Sequence, residues 1–370
     1  MSKEKSIAAN NTAARRSRVD WVDYAKGICI VWVVTLYSTD FVQTTAASIG
    51  WMQHVADFAQ PFRMPDFFML SGLFVARVLA RPWRSYLDGK VLHFVYFYVL
   101  WGTLKFANME ANALPGPDAF GLLPEYLKMF VEPPTGPLWF IYLLAVFFVV
   151  VRLTKNWPPL LVLIAAMALE IMVAATPAEL DFKVGDKFCR YFVFFYSGYL
   201  FSRHIFRAAG WAQAHPRAIW SILAVWFVLN GLLVIEEVTF LPGMQLLLGY
   251  VGACAIMALA GQLAQLSWTD WLAYLGRNSI VVYLGFVVPL GLMRRFVVAP
   301  PFGLDVGTLS LLAMILSVAG SILLYRALRG TPLRFLYVRP GWASIAGRER
   351  PAKGEETAMR ETPAGLAEHS

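Results

Sequence analysis

The stretch WVDYAKGICIVWVVTLYSTDFVQ, residues 21–43, is an apolar run of the length that crosses a lipid bilayer as an α-helix. A helix needs about 20 mainly apolar residues to span the hydrocarbon core. There are ten such runs in all; the fourth is short, and the ninth comes after the polar turn Gly276-Arg277-Asn278. Together the runs predict an all-α, polytopic membrane protein with about ten transmembrane helices, at residues 21–43, 55–79, 91–109, 137–151, 158–176, 188–206, 218–235, 244–266, 280–298 and 306–325.

The composition favours a membrane protein and excludes an ordinary soluble enzyme. Of the 370 residues, 58% are hydrophobic and only 15% are charged, whereas soluble domains carry about 25% charged residues. Cys29, Cys189 and Cys254 stand singly, without the spacing of a metal site or a disulfide framework. We therefore expect no bound metal.

The basic residues predict how the helices are oriented. With a cytoplasmic N-terminus, the inside segments hold 23 of the 32 lysines and arginines. Because positive residues favour the cytoplasmic side, both termini are predicted to be cytoplasmic. The net charge of +8 is then a topology signal. It predicts contact with membrane lipid and no nucleic-acid partner.

The chain divides into three parts by composition. Residues 1–17 are polar and basic and are predicted to be a disordered N-terminal tail, and residues 18–340 hold the apolar runs. Residues 341–370 are polar and poor in aromatic residues, which predicts a disordered cytoplasmic C-terminal tail. The segment 110–136, rich in proline and glycine, is predicted to be an outside loop.

Charged residues inside the first run are candidates for a functional site. Asp23, Lys26, Tyr37 and Asp40 fall on one face of the predicted helix. Each ionisable group in a membrane costs at least about 2.5–3.5 kcal/mol, so such groups usually mark a site or a water-filled cavity. The alternative is that Asp23 and Lys26 form a paired anchor at the membrane surface.

The second run carries Arg63 and Asp66 close to two prolines, Pro61 and Pro65. Prolines break the helical hydrogen-bond ladder, which a membrane tolerates only where protein or water satisfies the freed groups. A structural ion pair between Arg63 and Asp66 is possible. A broken helix that holds charges at membrane depth favours a binding site.

A basic cluster follows the second run, at Arg77, Arg81, Arg84 and Lys90. Spacing alone favours an anchor for lipid headgroups. The alternative is a phosphate-binding group, because guanidinium binds phosphate bidentately. His93 comes next, and a lone histidine at the end of a span is more often structural than catalytic.

Five stretches in this order resemble the membrane acyltransferase type 3 family, in its fucose 4-O-acetylase-like and glucan-succinyltransferase-like branch. They are RVDWVDYAKGI at 18–28, FRMPDFFMLSGLF at 62–74, LWFIY at 138–142, YSGYLF at 196–201 and LGRNSIVVYL at 275–284. The resemblance implies about ten helices in a bacterial-type inner membrane. It also implies transfer of an acyl group, acetyl or succinyl, from cytoplasmic acyl-CoA to a hydroxyl of an envelope carbohydrate.

The resemblance also implies roles for the candidate residues. The family's first helix carries a basic residue, ten residues, and then a histidine taken as the catalytic base; here these positions are Lys26 and Tyr37. A base works best with a pKa near the operating pH, which histidine at about 6.5 supplies and tyrosine at about 10 does not. The residues implied for the catalytic site are Tyr37, Asp23, Lys26, Arg63 and Asp66, and those implied for acyl-CoA are Arg77, Arg81, Arg84 and His93.

Tyr37 also supports a different hypothesis. A member of this fold without the histidine fits a non-catalytic role in the transport or assembly of a glycan or lipid. Coenzyme A binding separates the two hypotheses, because only the acyltransferase needs it.

Overall fold

The computed structural model describes residues 20–112, 123–131, 136–176, 183–298 and 303–345. Within these ranges the chain is helical and contains no β-strand. The α-helices are α1 (Asp20–Ala46), α2 (Met52–Phe58), α3 (Arg63–Gly72), α4 (Val75–Leu79), α5 (Trp83–Tyr86), α6 (His93–Asn112), α7 (Leu123–Val131), α8 (Trp139–Leu153), α9 (Pro159–Ala175), α10 (Lys183–Leu200), α11 (Ser202–Ala214), α12 (Pro216–Ile235), α13 (Met244–Leu263), α14 (Asp270–Arg277), α15 (Ser279–Gly285), α16 (Val287–Leu292), α17 (Arg294–Val298) and α18 (Val306–Leu328). A π-helix, Leu87–Leu92, joins α5 to α6.

Four of the described helices, α1, α12, α13 and α18, are long and apolar enough to cross a membrane. A fifth crossing results if the segments Ser267–Arg277 and Ser279–Leu292, bent by 64° at Asn278, are one broken span. Helices α8 and α9 are apolar but shorter. The prediction of an all-α membrane protein is therefore confirmed, while ten crossings with both termini cytoplasmic stays a prediction.

Some helices differ from their predicted runs. The second run, 55–79, is divided into α2, α3 and α4, with the first break at Pro61, where proline interrupts the ladder. Helix α10 begins at Lys183, before its predicted start, and α7 lies within the predicted outside loop 110–136. The predicted tail 1–17 lies outside the described residues.

Helix α1 is the centre of the bundle and packs against α14, α18, α13 and α3. Its contact with α14 is made through glycine on both sides. A Cβ on Gly27 would collide with the carbonyl oxygen of Leu272, and one on Gly276 would collide with that of Asp23. The two backbones therefore touch directly, which is how small residues bring membrane helices together.

The chain returns to α6 after α18. The indole N–H of Trp101 donates a hydrogen bond of 2.9 Å to the Leu336 carbonyl, and the Tyr96 hydroxyl donates one of 3.0 Å to the Phe335 carbonyl. Residues 341–345, placed by the sequence at the start of the disordered tail, continue along this surface. Residues 346–370 lie outside the described residues.

The end of this segment binds Asp88 of the π-helix, in a set of contacts that we call the Asp88 clamp. Arg339 donates to the Asp88 carbonyl at 2.7 Å and to its carboxylate at 2.8 Å. The Ser344 hydroxyl and the Ile345 N–H donate to the same carboxylate at 2.9 and 2.8 Å. Burial alone would raise the pKa of Asp88, but these hydrogen bonds and the charge of Arg339 outweigh it and lower the pKa.

The Asp88 clamp should resist mild acid. A carboxyl whose pKa is lowered by folding stabilises the protein above its unfolded pKa, about 3.9, and loses that contribution as the pH falls through the folded value. The other ionisable groups around Asp88 are Arg339, Lys90 and His93. We expect the melting temperature of the unaltered protein to exceed that of Asp88→Asn by a constant margin from about pH 8 to 5 and by less below about pH 4. A margin that vanished between pH 8 and 6 would contradict this assignment.

Candidate active site

Tyr37 lies on α1 in a group of aromatic and charged side chains that we call the tyrosine cluster, formed by Tyr37, Arg63, Trp139, Tyr191 and Tyr283. The Tyr37 hydroxyl accepts a hydrogen bond of 3.2 Å from the indole N–H of Trp139. Its ring packs on Phe286, with centroids 5.6 Å apart. The contacts orient the phenol while its own proton stays available for another acceptor.

Arg63 is the cation of the tyrosine cluster, and the break before α3 explains its position. It is the first residue of α3, it is only 7% exposed, and its guanidinium donates at 3.1 Å to the Ala56 carbonyl at the end of α2. Its positive charge acts on the hydroxyls of Tyr37 and Tyr191. The broken span thus gives a buried arginine a backbone partner and places its charge beside Tyr37.

The wall of the tyrosine cluster comes from α8 and α10. The rings of Trp139 and Tyr191 stack with centroids 5.5 Å apart, and Tyr191 also stacks on Phe68 at 5.4 Å. The Lys187 ammonium lies 4.6 Å from the centre of a Trp139 ring, a cation–π contact. Trp139 belongs to the quoted motif at 138–142, but nothing in the sequence pointed to Tyr191 or Lys187.

Tyr283 completes the tyrosine cluster from α15. Its ring packs on Phe140, the neighbour of Trp139 in the chain, with centroids 5.5 Å apart. The Tyr283 hydroxyl is buried and has no hydrogen-bond partner within the described part of the chain. A buried hydroxyl without a partner is costly, so it suits a site that a polar ligand completes.

A second group, the basic cluster, is formed by Lys26, Arg77, Arg81 and Lys90. Lys26 and Arg77 both lie over the ring of Phe74, at 5.7 and 5.3 Å from its centre. Lys90 lies 5.6 Å from the centre of Phe148. The pKa of Lys90 is lowered, first by burial and then by the positive charges of Lys26 and Arg81.

The structure divides the residues predicted for catalysis between the two clusters. Tyr37 and Arg63 share the tyrosine cluster, whereas Lys26 joins Arg77 in the basic cluster. Asp23 lies 3.9 Å from Arg277 across the contact of α1 with α14. Helix α1 thus contributes one residue to each cluster, Tyr37 to the tyrosine cluster and Lys26 to the basic cluster.

Asp66 lies apart from both clusters. It is 1% exposed, and one of its carboxylate oxygens has no hydrogen-bond partner within the described ranges. Arg63 binds the Ala56 carbonyl instead of Asp66, so the ion pair considered from the sequence is absent from the described structure. Helix α3, which carries Asp66, packs against both α1 and α13.

The other residues predicted to hold the donor differ in setting. Arg84 is exposed on α5. The His93 ring packs edge-on against Phe94 and Phe97 at 5.5 and 5.1 Å, which fits a structural histidine. Among the described residues, no group of three or more His, Cys, Asp or Glu side chains is arranged to hold a metal ion.

A family model described as an acyltransferase domain matches residues 19–326, which include every predicted site residue. The chain belongs to the acyltransferase type 3 family. The resemblance seen in the five motifs is thereby confirmed, while the branch within the family stays a prediction.

The comparisons also find a distant relative, the inner membrane protein YcfT of Escherichia coli. It is 26% identical over 189 residues, which cover 42% of this chain and 50% of YcfT. The match thus spans about half the length of that relative. No solved structure matches the chain.

Proposed function

We propose that the protein is an inner-membrane O-acyltransferase that moves an acyl group from acyl-CoA to a hydroxyl of an envelope carbohydrate. The observation that carries the proposal is that α1 joins the two clusters. Lys26 and Tyr37 are eleven residues apart, about 16 Å along the helix axis. In the proposed topology, with ten crossings and both termini cytoplasmic, the basic cluster faces the cytoplasm and the tyrosine cluster faces outward.

The basic cluster suits the donor. Coenzyme A carries several phosphates, and charge-assisted hydrogen bonds from guanidinium and ammonium groups are the strong contacts for phosphate. The positive charges of Lys26, Arg77, Arg81 and Lys90 repel each other, and a bound polyanion would offset that repulsion. The binding of coenzyme A to the basic cluster should therefore weaken as the salt concentration rises.

The tyrosine cluster suits the reacting groups. The acceptor hydroxyl oxygen attacks the thioester carbonyl carbon, the C–O bond forms, and the C–S bond breaks. In this step Tyr37 relays the proton from the acceptor hydroxyl to the leaving thiolate, so the phenol is neutral before and after. Arg63 stabilises the negative charge that develops on the carbonyl oxygen. Trp139, whose indole N–H donates to the Tyr37 hydroxyl, holds the phenol in position for this relay.

Removing a cation of the basic cluster should weaken donor binding. We expect Arg77→Ala to lower the affinity for coenzyme A by about 5- to 30-fold, since one charge-assisted hydrogen bond contributes about 1.5–3 kcal/mol and a partly exposed one less. Coenzyme A should raise the melting temperature of the purified protein, and less so in the variant. The matched control is Arg207→Ala on α11, which should bind like the unaltered protein. If coenzyme A stabilises neither protein, the acyltransferase proposal fails.

A second candidate, a non-catalytic role in glycan or lipid transport or assembly, is favoured by Tyr37 at the family's histidine position. The two are separated by incubating membranes with labelled acyl-CoA. The acyltransferase labels envelope glycan, whereas the non-catalytic protein does not. Under the second candidate, Arg77→Ala should also leave the cellular function intact.

A further inference from the structure

The π-helix Leu87–Leu92 connects two features that the proposed function treats separately. Turns of this kind are rare and occur frequently at functional sites. It carries Asp88, which is bound by the C-terminal segment, and two residues later Lys90, which belongs to the basic cluster. A shift of Asp88 therefore moves the backbone that presents Lys90.

Lys90 is a cation that needs to be held in place. The positive charges of Lys26 and Arg81 act on it, and burial disfavours its charge further. The Lys90 ammonium lies over the aromatic ring of Phe148, and no carboxylate within the described residues lies at ion-pair distance from it. The lysine side chain is flexible, so without a restraint on its backbone Lys90 would turn away from the neighbouring positive charges.

The Asp88 clamp opposes this displacement. Asp88 is 8% exposed, and Arg339, Ser344 and Ile345 together direct three hydrogen bonds to its carboxylate and one to its carbonyl. The segment is attached in turn to α6 through Trp101 and Tyr96. A segment that lies more than 240 residues after Asp88 in the sequence thus holds the π-helix beside the basic cluster.

We propose that residues 339–345 are a positioning element of the donor site, which holds the π-helix through Asp88 and so keeps the Lys90 ammonium in the basic cluster. The inference rests on the proposed function, because the ligand it assigns to Lys90 is the phosphate group of acyl-CoA. Arg339 and Asp88 do not touch the donor. They act through Lys90.

Two truncations test the proposal on otherwise complete protein. A chain that ends at Gly347 keeps the Asp88 clamp, whereas one that ends at Val338 lacks it. We expect the first to bind coenzyme A like the unaltered protein and the second to bind it about 10-fold more weakly, a loss of about 1.4 kcal/mol. In transfer assays the KM for acyl-CoA should rise while kcat changes less than about twofold, as expected for lost ground-state binding.

Point variants keep the test decisive if the shorter chain does not fold. Asp88→Asn and Arg339→Gln should each weaken coenzyme A binding, and Arg339→Lys, which keeps the charge, should restore part of it. A second readout does not depend on coenzyme A. Mass spectrometry of protein treated with an amine-reactive reagent should show faster labelling of Lys90 in Asp88→Asn than in the unaltered protein, with Lys155 as the internal reference.

The outcomes separate the two proposals. Equal coenzyme A binding and equal Lys90 labelling in folded variants would overturn the positioning role and leave the proposed function standing. Faster Lys90 labelling without a change in coenzyme A binding would show that Lys90 is displaced but holds no donor, which also overturns the inference. Absence of coenzyme A binding by the unaltered protein would overturn the proposed function and this inference with it.

Discussion

Replacing Tyr37 by phenylalanine should lower acyl transfer by about 10²- to 10⁴-fold, the usual contribution of a positioned proton-transfer group. The substitution removes only the hydroxyl that accepts the hydrogen bond from Trp139 and leaves the ring on Phe286. Coenzyme A affinity should stay unchanged, because the basic cluster lies about 16 Å away along α1. Transfer from labelled acyl-CoA and coenzyme A binding are measured on the same preparations.

The control for Tyr37 is Tyr98→Phe, which removes a hydroxyl from another buried tyrosine, on α6. It should keep near-normal activity. If Tyr37→Phe is equally active, Tyr37 has no part in proton transfer. If the unaltered protein is inactive and Tyr37→His gains activity, the non-catalytic candidate is correct, because the fold then lacks only the base.

Replacing Gly276 by alanine should destabilise the protein strongly. The new methyl group would meet the Asp23 carbonyl of α1, and a backbone atom cannot turn aside as a flexible side chain does. Overpacking of this kind costs about 1–3 kcal/mol, and more where the backbone must shift. We expect a clear fall in melting temperature and in the yield of folded protein in detergent.

Gly291→Ala is the matched control for Gly276→Ala. A Cβ at Gly291 on α16 meets nothing within 4 Å, and alanine is a better helix former than glycine by roughly 0.5–1 kcal/mol. Its melting temperature should equal or slightly exceed that of the unaltered protein. Equal stability of the two variants would show that α1 and α14 have room to separate.

Much of the fold follows from the sequence because the bilayer imposes a length on each helix. The run 21–43 corresponds to α1, the prolines at 61 and 65 to a broken span, and the polar turn at Asn278 to the bend between α14 and α15. The sequence predicts the first and last residues of each helix less well: α10 begins at Lys183, before its predicted start. Helix α7 lies in the segment 110–136, whose proline and glycine content predicts a loop.

The candidate site was less predictable, because its contacts come from distant parts of the chain. The spacing of Lys26 and Tyr37 along the chain predicts that they share a face of α1. Only the packing of the helices shows that Lys26 contacts Phe74 and Tyr37 contacts Trp139. Tyr191 and Lys187 have no local signal in the sequence that separates them from the other polar residues of α10. The same holds for Asp88 and Arg339, which are 251 residues apart.

The direct contact of α1 with α14 has a consequence for motion. Helices that touch backbone to backbone cannot slide or rotate past each other without a collision at Gly27 or Gly276. The contact therefore holds α1 in place against α14, so relative movement of helices has to occur elsewhere in the bundle. If the proposed transfer takes place, we expect the bound donor to reach across the distance of about 16 Å between Lys26 and Tyr37, with no sliding of α1.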